Sequence, residues 1–241
     1  IKPGHCVACG KCEEICRFDA IYFDGPGNGR VPKTFRVDPI ACEGCGVCAW
    51  FCAEQAIEFK PANNGQWFVS NTRFGPMVHA RLNVPEENSG KLVTLVRNNA
   101  REIAEKERIN LIISDGSPGI GCPVIASIAG ADLVLAVTEP TMSGRHDLER
   151  VIRLVKHFGI LMTVMVNKWD INPDMTGHIE ELVREHGIDM AGRVRYDPSV
   201  TAAMVKGVSV AELGSCPAAV DLKTVWKHVS DMLDIATPIN S

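Results

Sequence analysis

Ten cysteines carry the spacing in this chain that most directly implies chemistry, and all but Cys122 and Cys216 lie within the first 52 positions. Residues 6–16 read CVACGKCEEIC and residues 42–52 read CEGCGVCAWFC, so C-x-x-C-x-x-C-x-x-x-C occurs twice. Three cysteines at i, i+3 and i+6 on a tight loop can wrap three corners of an iron–sulfur cube, while the fourth points elsewhere. Small residues between them, Ala8, Gly10, Gly44 and Gly46, let backbone N–H groups approach the sulfides. Zinc is the competing chemistry, but it takes four ligands in separated pairs, which two identical four-cysteine runs fit poorly. The clustering also disfavours a secreted disulfide scaffold.

A second group of residues suits phosphate and base. In LIISDGSPGIGC, residues 111–122, an apolar run leads into Asp115 and a loop rich in glycine of the kind that faces a phosphate. TEPTMSG (138–144) and NKWD (167–170) also follow apolar runs. NKWD matches the N-K-x-D pattern with which GTPases read guanine, Asp170 accepting from the base, whereas related ATPases use the asparagine, here Asn167, on adenine. The seven histidines form no spaced metal set.

The elements that must position these residues follow from periodicity. The cysteine repeat extends to Ala20-Ile21 against Ala56-Ile57 and Phe23 against Phe59, so whole supersecondary units are duplicated. Ile21, Phe23, Ile57 and Phe59 are expected to exclude water. Residues 24–38 read as an exposed hairpin and a simple insertion, and KPANNGQ (60–66) reads as a joint. Beyond it, apolar runs at 111–113, 133–137 and 161–166 alternate with helical patterns near 91–107, 121–129, 144–158 and 175–186. That alternation predicts a parallel sheet covered on both faces, with ligands beyond the carboxyl ends of its strands. A last helix around 221–234 gathers Leu222, Val225, Trp226, Val229 and Leu233 on one face, which argues packing.

Bulk properties set limits. At 241 residues the chain suits one large domain and a small one, and 46% hydrophobic residues supply a core. A formal charge of -4 with both signs scattered disfavours a nucleic-acid partner or a basic membrane face. No apolar run approaches a membrane span of roughly 20 residues, and no signal peptide opens the chain, so a cytoplasmic location is expected. The opening residue, Ile1, suggests a fragment.

The cysteine segment closely resembles two-cluster bacterial ferredoxins, in which the fourth cysteine ligates the other cluster. The resemblance implies Cys6, Cys9, Cys12 and Cys52 for one 4Fe-4S cluster and Cys42, Cys45, Cys48 and Cys16 for its neighbour. The proline usual after each fourth cysteine is replaced by Arg17 and Ala53, which implies local loosening. From Trp67 onward, HARLNVPEENSGKLV, SDGSPGIGCPVIAS, VTEPTMSGRHDLER and VNKWDIN make the chain similar to MinD/ParA-type P-loop ATPases that carry an inserted ferredoxin domain.

That resemblance implies a small α+β ferredoxin domain at 1–62 and a MinD/ParA-like α/β domain at 63–241, the latter incomplete. Asp115 matches the switch aspartate that holds magnesium through water, and Gly119 the glycine whose N–H senses the γ-phosphate. ATP and Mg are the implied ligands, beside two 4Fe-4S clusters. A Walker A loop needs G-x-x-x-x-G-K-[ST]; PEENSGKL has Pro85 and Leu92 at two of those positions and fails. In the family the loop precedes the ferredoxin insert, so it is expected upstream of Ile1. The full-length protein is expected to be an ATPase, whereas this chain alone is expected to bind nucleotide weakly or not at all and to be inactive. The leading function is coupling of nucleotide binding and hydrolysis to electron transfer or cluster handling, through a redox partner protein and a nucleotide-dependent homodimer. A ferredoxin-type carrier with an α/β docking domain is the alternative, and a positioning switch of the MinD type the third. Cys122 falls where the related nitrogenase iron protein has a cluster ligand, but it has no cysteine partner between Cys52 and itself, so a small buried thiol is expected. Cys216 is expected to be inert.

Overall fold

The computed structural model describes residues 1–60, 65–82 and 90–235 and divides into two compact units, Ile1–Asn88 and Ser89–Ser241. Among the described residues no helix is long and apolar enough to cross a membrane.

The first unit contains α1 (Lys11–Glu14), β1 (Ile21–Gly25), β2 (Thr34–Val37), α2 (Val47–Trp50), β3 (Gly65–Thr72) and β4 (Gly75–Leu82). Strands β1 and β2 pair antiparallel, with Ile21 opposite Val37 and a bulge before Gly25 meets Thr34. Ile21, Phe35, Ala56 and Cys6 form its core, with Cys12, Cys16, Cys48 and Cys52 packed around them. The hairpin expected over residues 24–38 forms and is largely exposed, but its reading as a simple insertion is corrected here. The hairpin folds back so that Thr34 is buried, its hydroxyl donating to the Pro26 carbonyl at 2.7 Å, and Phe35 enters the core with its ring 4.9 Å from that of Phe23. Phe23 and Phe59, expected to exclude water, are 44% and 63% exposed; Phe35 does that work instead.

Strands β3 and β4 form a second antiparallel hairpin in unbroken register, from Gly65 opposite Leu82 to Thr72 opposite Gly75. It falls in the first unit, although the domain expectation grouped it with the second segment. Residues 61–64 of KPANNGQ and 85–89 of PEENSGKL lie outside the described residues.

The second unit contains α3 (Gly90–Glu107), α4 (Cys122–Ile128), β5 (Leu133–Thr138), α5 (Met142–His157), β6 (Leu161–Asn167), α6 (Pro173–Glu185), β7 (Asp189–Val194), α7 (Pro198–Val205) and α8 (Pro217–Met232). Its strands are parallel in the order β5-β6-β7. The central strand β6 is apolar on both sides because both sides are covered. Met162, Val164 and Val166 join Leu148, Ile152 and Val155 of α5 and Ile179, Leu182 and Val183 of α6 in one core. Met165 faces the other way, toward Ala191 and Val194 of β7 and Ala218 and Val225 of α8. Side-chain caps start the helices that lead away from the carboxyl edge: Thr141 accepts from Gly144 N at 2.9 Å, Asn172 from Met175 N at 3.1 Å, and Asp197 from Ser199 N at 2.8 Å.

One expected strand does not form. Residues 111–113 belong to no ladder, and Ile113 is 76% exposed. An apolar run becomes a strand only beside a neighbour that can take its hydrogen bonds, and among the described residues β5 pairs with β6 alone.

Candidate functional site

In the first unit the duplicated sequence produces a duplicated backbone. Ala8 and Gly44 both have positive φ, 55° and 62°, as do Gly10 and Gly46 at 80° and 77°, and Asp19 and Gln55 at 48° and 49°. The first two pairs turn the chain between cysteines and the third turns it just after each run, while Gly10 and Gly46 open the single helical turns α1 and α2. The fourth cysteines sit alike: Cys16 Sγ accepts from Ala20 N at 3.5 Å and Cys52 Sγ from Ala56 N at 3.3 Å. The segments after Arg17 and Ala53 therefore share one geometry.

Electrostatic neighbours group the thiols. Burial pushes Cys12 up to about 11, with Cys6 and Cys9 adding to the effect. Cys48 is also raised, first by burial and then by Cys42, Cys45 and Cys16. Cys16 thus stands beside the second cysteine run while belonging to the first in sequence. Thiols in such surroundings stay protonated near neutrality unless cations hold them as thiolates. Among the described residues no three His, Cys, Asp or Glu side chains converge on a single-ion position. The buried apolar centre, the paired left-handed loops and the N–H donors aimed at sulfur fit a four-iron cluster, whose negative sulfurs need N–H donors and little water. Asn28 ties the β1–β2 loop to this site by donating to the carbonyls of Pro3 and Cys6 at 2.6 and 2.7 Å.

In the second unit three loops meet at the carboxyl edge of the sheet. Glu139 follows β5, Asn167 to Asp170 end and follow β6, and Arg195 to Asp197 follow β7. NKWD stitches them together. Lys168, itself left-handed at φ 54°, pairs with Glu139 at 2.7 Å, and Asp170 Oδ1 accepts from Tyr196 N at 2.7 Å. Asn167 is the last rung of β6, opposite Val194. Trp169 packs on the α5–α6 core and lies under the Arg193 guanidinium, 5.4 Å from its centroid. The loop contacts of Lys168, Glu139, Arg195 and Tyr196 were not legible in the sequence, because they join residues 26 or more positions apart or use a backbone N–H.

Asp115 is exposed, and Gly119 turns the following loop at φ 87°, a conformation that suits glycine. Cys122 corrects an expectation: the thiol is exposed at the start of α4, beside Gly90. Pro123 follows at the second helical position, where its missing N–H costs no intrahelical bond. Cys216 is half-buried.

Residues 5–56 match the 4Fe-4S dicluster domain family. The uncharacterized protein MJ0578 of Methanocaldococcus jannaschii is 37% identical over 167 residues, covering 69% of this chain and 55% of that protein. The chain thus spans about half the length of that relative. Among solved structures it is similar to the MinC:MinD cell division protein complex of Aquifex aeolicus, at 18% identity and a TM-score of 0.51 over 72% of this chain and 69% of that one. The septum site-determining protein MinD of Pyrococcus horikoshii, complexed with Mg-ADP, gives 14% identity and a TM-score of 0.50 over 63% and 60%. At these identities the likeness is one of fold: a parallel sheet flanked by helices, of the MinD type.

Proposed function

We propose that this chain, a 4Fe-4S dicluster domain joined to a MinD-type α/β fold, acts in an iron–sulfur ATPase that couples nucleotide binding to electron transfer or cluster handling. The observation that supports the reading is the conjunction itself: a 4Fe-4S dicluster domain and a MinD-type α/β fold in one polypeptide. When bound, the clusters supply one-electron chemistry. Cys6, Cys9, Cys12 and Cys52 hold one cluster, and Cys42, Cys45, Cys48 and Cys16 hold the other; the position of Cys16 beside Cys48 favours this crossed arrangement.

On the nucleotide side, Asp115 holds magnesium through water and the Gly119 N–H meets the terminal phosphate. Asn167 reads the base as adenine, and Asp170 contributes through the loop it holds in place. Hydrolysis needs a glycine-lysine phosphate loop as well, which no stretch of these 241 residues supplies. The informative assays of binding and hydrolysis are therefore made on the full-length protein, in which that loop is expected. A nucleotide-dependent homodimer in the cytoplasm, with a redox partner protein, completes the proposal. Trp50 is 92% exposed beside the second cysteine run, an apolar contact point that also suits the simpler reading of an electron carrier.

Reconstituted protein should contain about eight irons with labile sulfide, and Mg-ADP or Mg-ATP should move a cluster's reduction potential. A tenfold difference in affinity between redox states appears as about 59 mV in a one-electron couple. Nucleotide that binds without any such shift leaves only the carrier reading, and tightly held zinc without labile sulfide removes the ferredoxin half.

A further inference from the structure

The two cysteine runs supply an internal comparison. The turns α1 and α2 are built by the same backbone bonds: Glu13 N and Glu14 N donate to Gly10 O, as Ala49 N and Trp50 N do to Gly46 O, each at 3.1 Å. They also close alike, Ile15 N on Lys11 O at 3.2 Å and Phe51 N on Val47 O at 3.1 Å. Their side chains differ. Where the first turn and its exit carry Lys11, Glu13, Glu14 and Arg17, the second carry Val47, Ala49, Trp50 and Ala53. Trp50 therefore stands in the place of Glu14, and Phe51 in that of Ile15.

The first turn shows that this backbone folds with charges at those places, so folding does not require the apolar set of the second. Packing does not explain it either, because Trp50 is 92% exposed and Phe51 61%, and a ring left in water gains nothing from burial. Val47, Trp50 and Phe51 are spaced three and four residues apart, which puts them on one face of the turn. An exposed tryptophan at the centre of an apolar patch is the composition of a contact surface.

Two properties narrow the occupant. From Cys42 to Ala53 the sequence holds one charged residue, Glu43, so the complementary surface is uncharged and apolar. The three side chains present roughly 400 Å², against about 800 Å² per partner in a stable interface, and contacts this small belong to short-lived redox encounters. Cys48 lies within the same turn, so the patch is borne by a segment that holds a cluster.

We propose that the outer face of α2 is an electron port, where Trp50 and Phe51 seat a short-lived redox partner that presents an uncharged apolar patch around a one-electron metal centre. This rests on the dicluster reading above and deepens it, by assigning the port to one of two halves with the same backbone. On docking, one electron passes from the reduced cluster held by Cys48 to the partner's oxidised metal centre, and no bond is made or broken.

Protein-film voltammetry of the cluster-loaded chain on gold tests this, with a methyl-terminated monolayer as the apolar probe and a carboxylate-terminated one as the charged control. Wild type should adsorb on the methyl surface and exchange electrons there about tenfold faster than on the control, the scale set by one interface anchor. Trp50→Glu installs the residue that the duplicate turn already carries. It should lose about tenfold in rate on the methyl surface and most of its adsorption, with iron content, solution reduction potentials and Tm unchanged. Trp50→Phe keeps an aromatic anchor and should stay within about threefold of wild type, and Glu14→Gln should match wild type. Equal rate and adsorption in wild type and Trp50→Glu overturn the port while leaving the dicluster reading intact. A fall in rate accompanied by loss of iron or of Tm assigns Trp50 to cluster assembly or folding and also overturns it. A stable dimer in sedimentation that Trp50→Glu dissolves gives the face to a second copy of this chain, with the same consequence. Wild type that fails to hold about eight irons removes the dicluster reading itself, and the port with it.

Discussion

The guanidinium of Arg195 meets the carboxylate of Asp221 at two points, 2.7 Å from Nε and 2.8 Å from Nη2, and the Arg195 backbone N–H donates to the same group at 3.1 Å. The Asp221 side chain is 13% exposed and that of Arg195 45%, so the pair is two-pronged but partly screened by solvent. Asp221→Asn should destabilise the α/β unit by about 1–2 kcal/mol, lowering its melting temperature by about 2–4 °C per kcal/mol. An unchanged melting curve would show that the loop is held without it. The pH dependence has a definite sign. The Arg195 guanidinium holds Asp221 below the ordinary carboxylate value of 3.8, and the N–H groups of Ser199 and Ala218 do the same for Asp197. Their contribution is therefore complete above that value and is lost as the pH falls through the lowered ones. Acid unfolding of the unit should begin below about pH 4, and should move to higher pH in Asp221→Asn.

The crossing of cysteines between clusters is open to a direct check. Cys16→Ser and Cys45→Ser should alter the same component of the reduced protein's electron paramagnetic resonance spectrum, and Cys52→Ser and Cys9→Ser the other. If Cys16→Ser instead changes the component affected by Cys9→Ser, each run of four cysteines holds its own cluster.

Cys122 should be the fastest thiol to react with iodoacetamide in the cluster-loaded protein, since the eight cysteines of the repeats are occupied and Cys216 is half-buried. Peptide mapping by mass spectrometry gives the order. Labelling of Cys216 ahead of Cys122 would contradict the exposure at the start of α4.

What could be read from sequence divides along a physical line. The cysteine loops were legible because their geometry is local: three cysteines and two left-handed positions fall within seven residues, as in Cys6 to Cys12. Strand β6 was legible because burial on both faces leaves an unbroken apolar run. Strand β7 was not, since Asp189, Gly192 and Arg193 interrupt it; Gly192 has φ 144° and lies close to Val225 of α8, where a Cβ would meet a side-chain methyl at 3.1 Å. Residues 111–113 have the composition of a strand without the pairing, because pairing depends on another segment. Phe35 was missed for the same kind of reason: whether a hairpin stands out or folds back is decided by what it lands on. At the carboxyl edge of the sheet the motif letters of NKWD were visible, but not that Lys168 and Asp170 are engaged by Glu139 and the Tyr196 N–H.

The outer margin of β5 has a practical corollary. With Val137 56% exposed and one side of the strand's amides and carbonyls facing no neighbour among the described residues, that margin is adhesive. Concentrated solutions of these 241 residues alone should clump through it, and Val137→Lys should keep them clear.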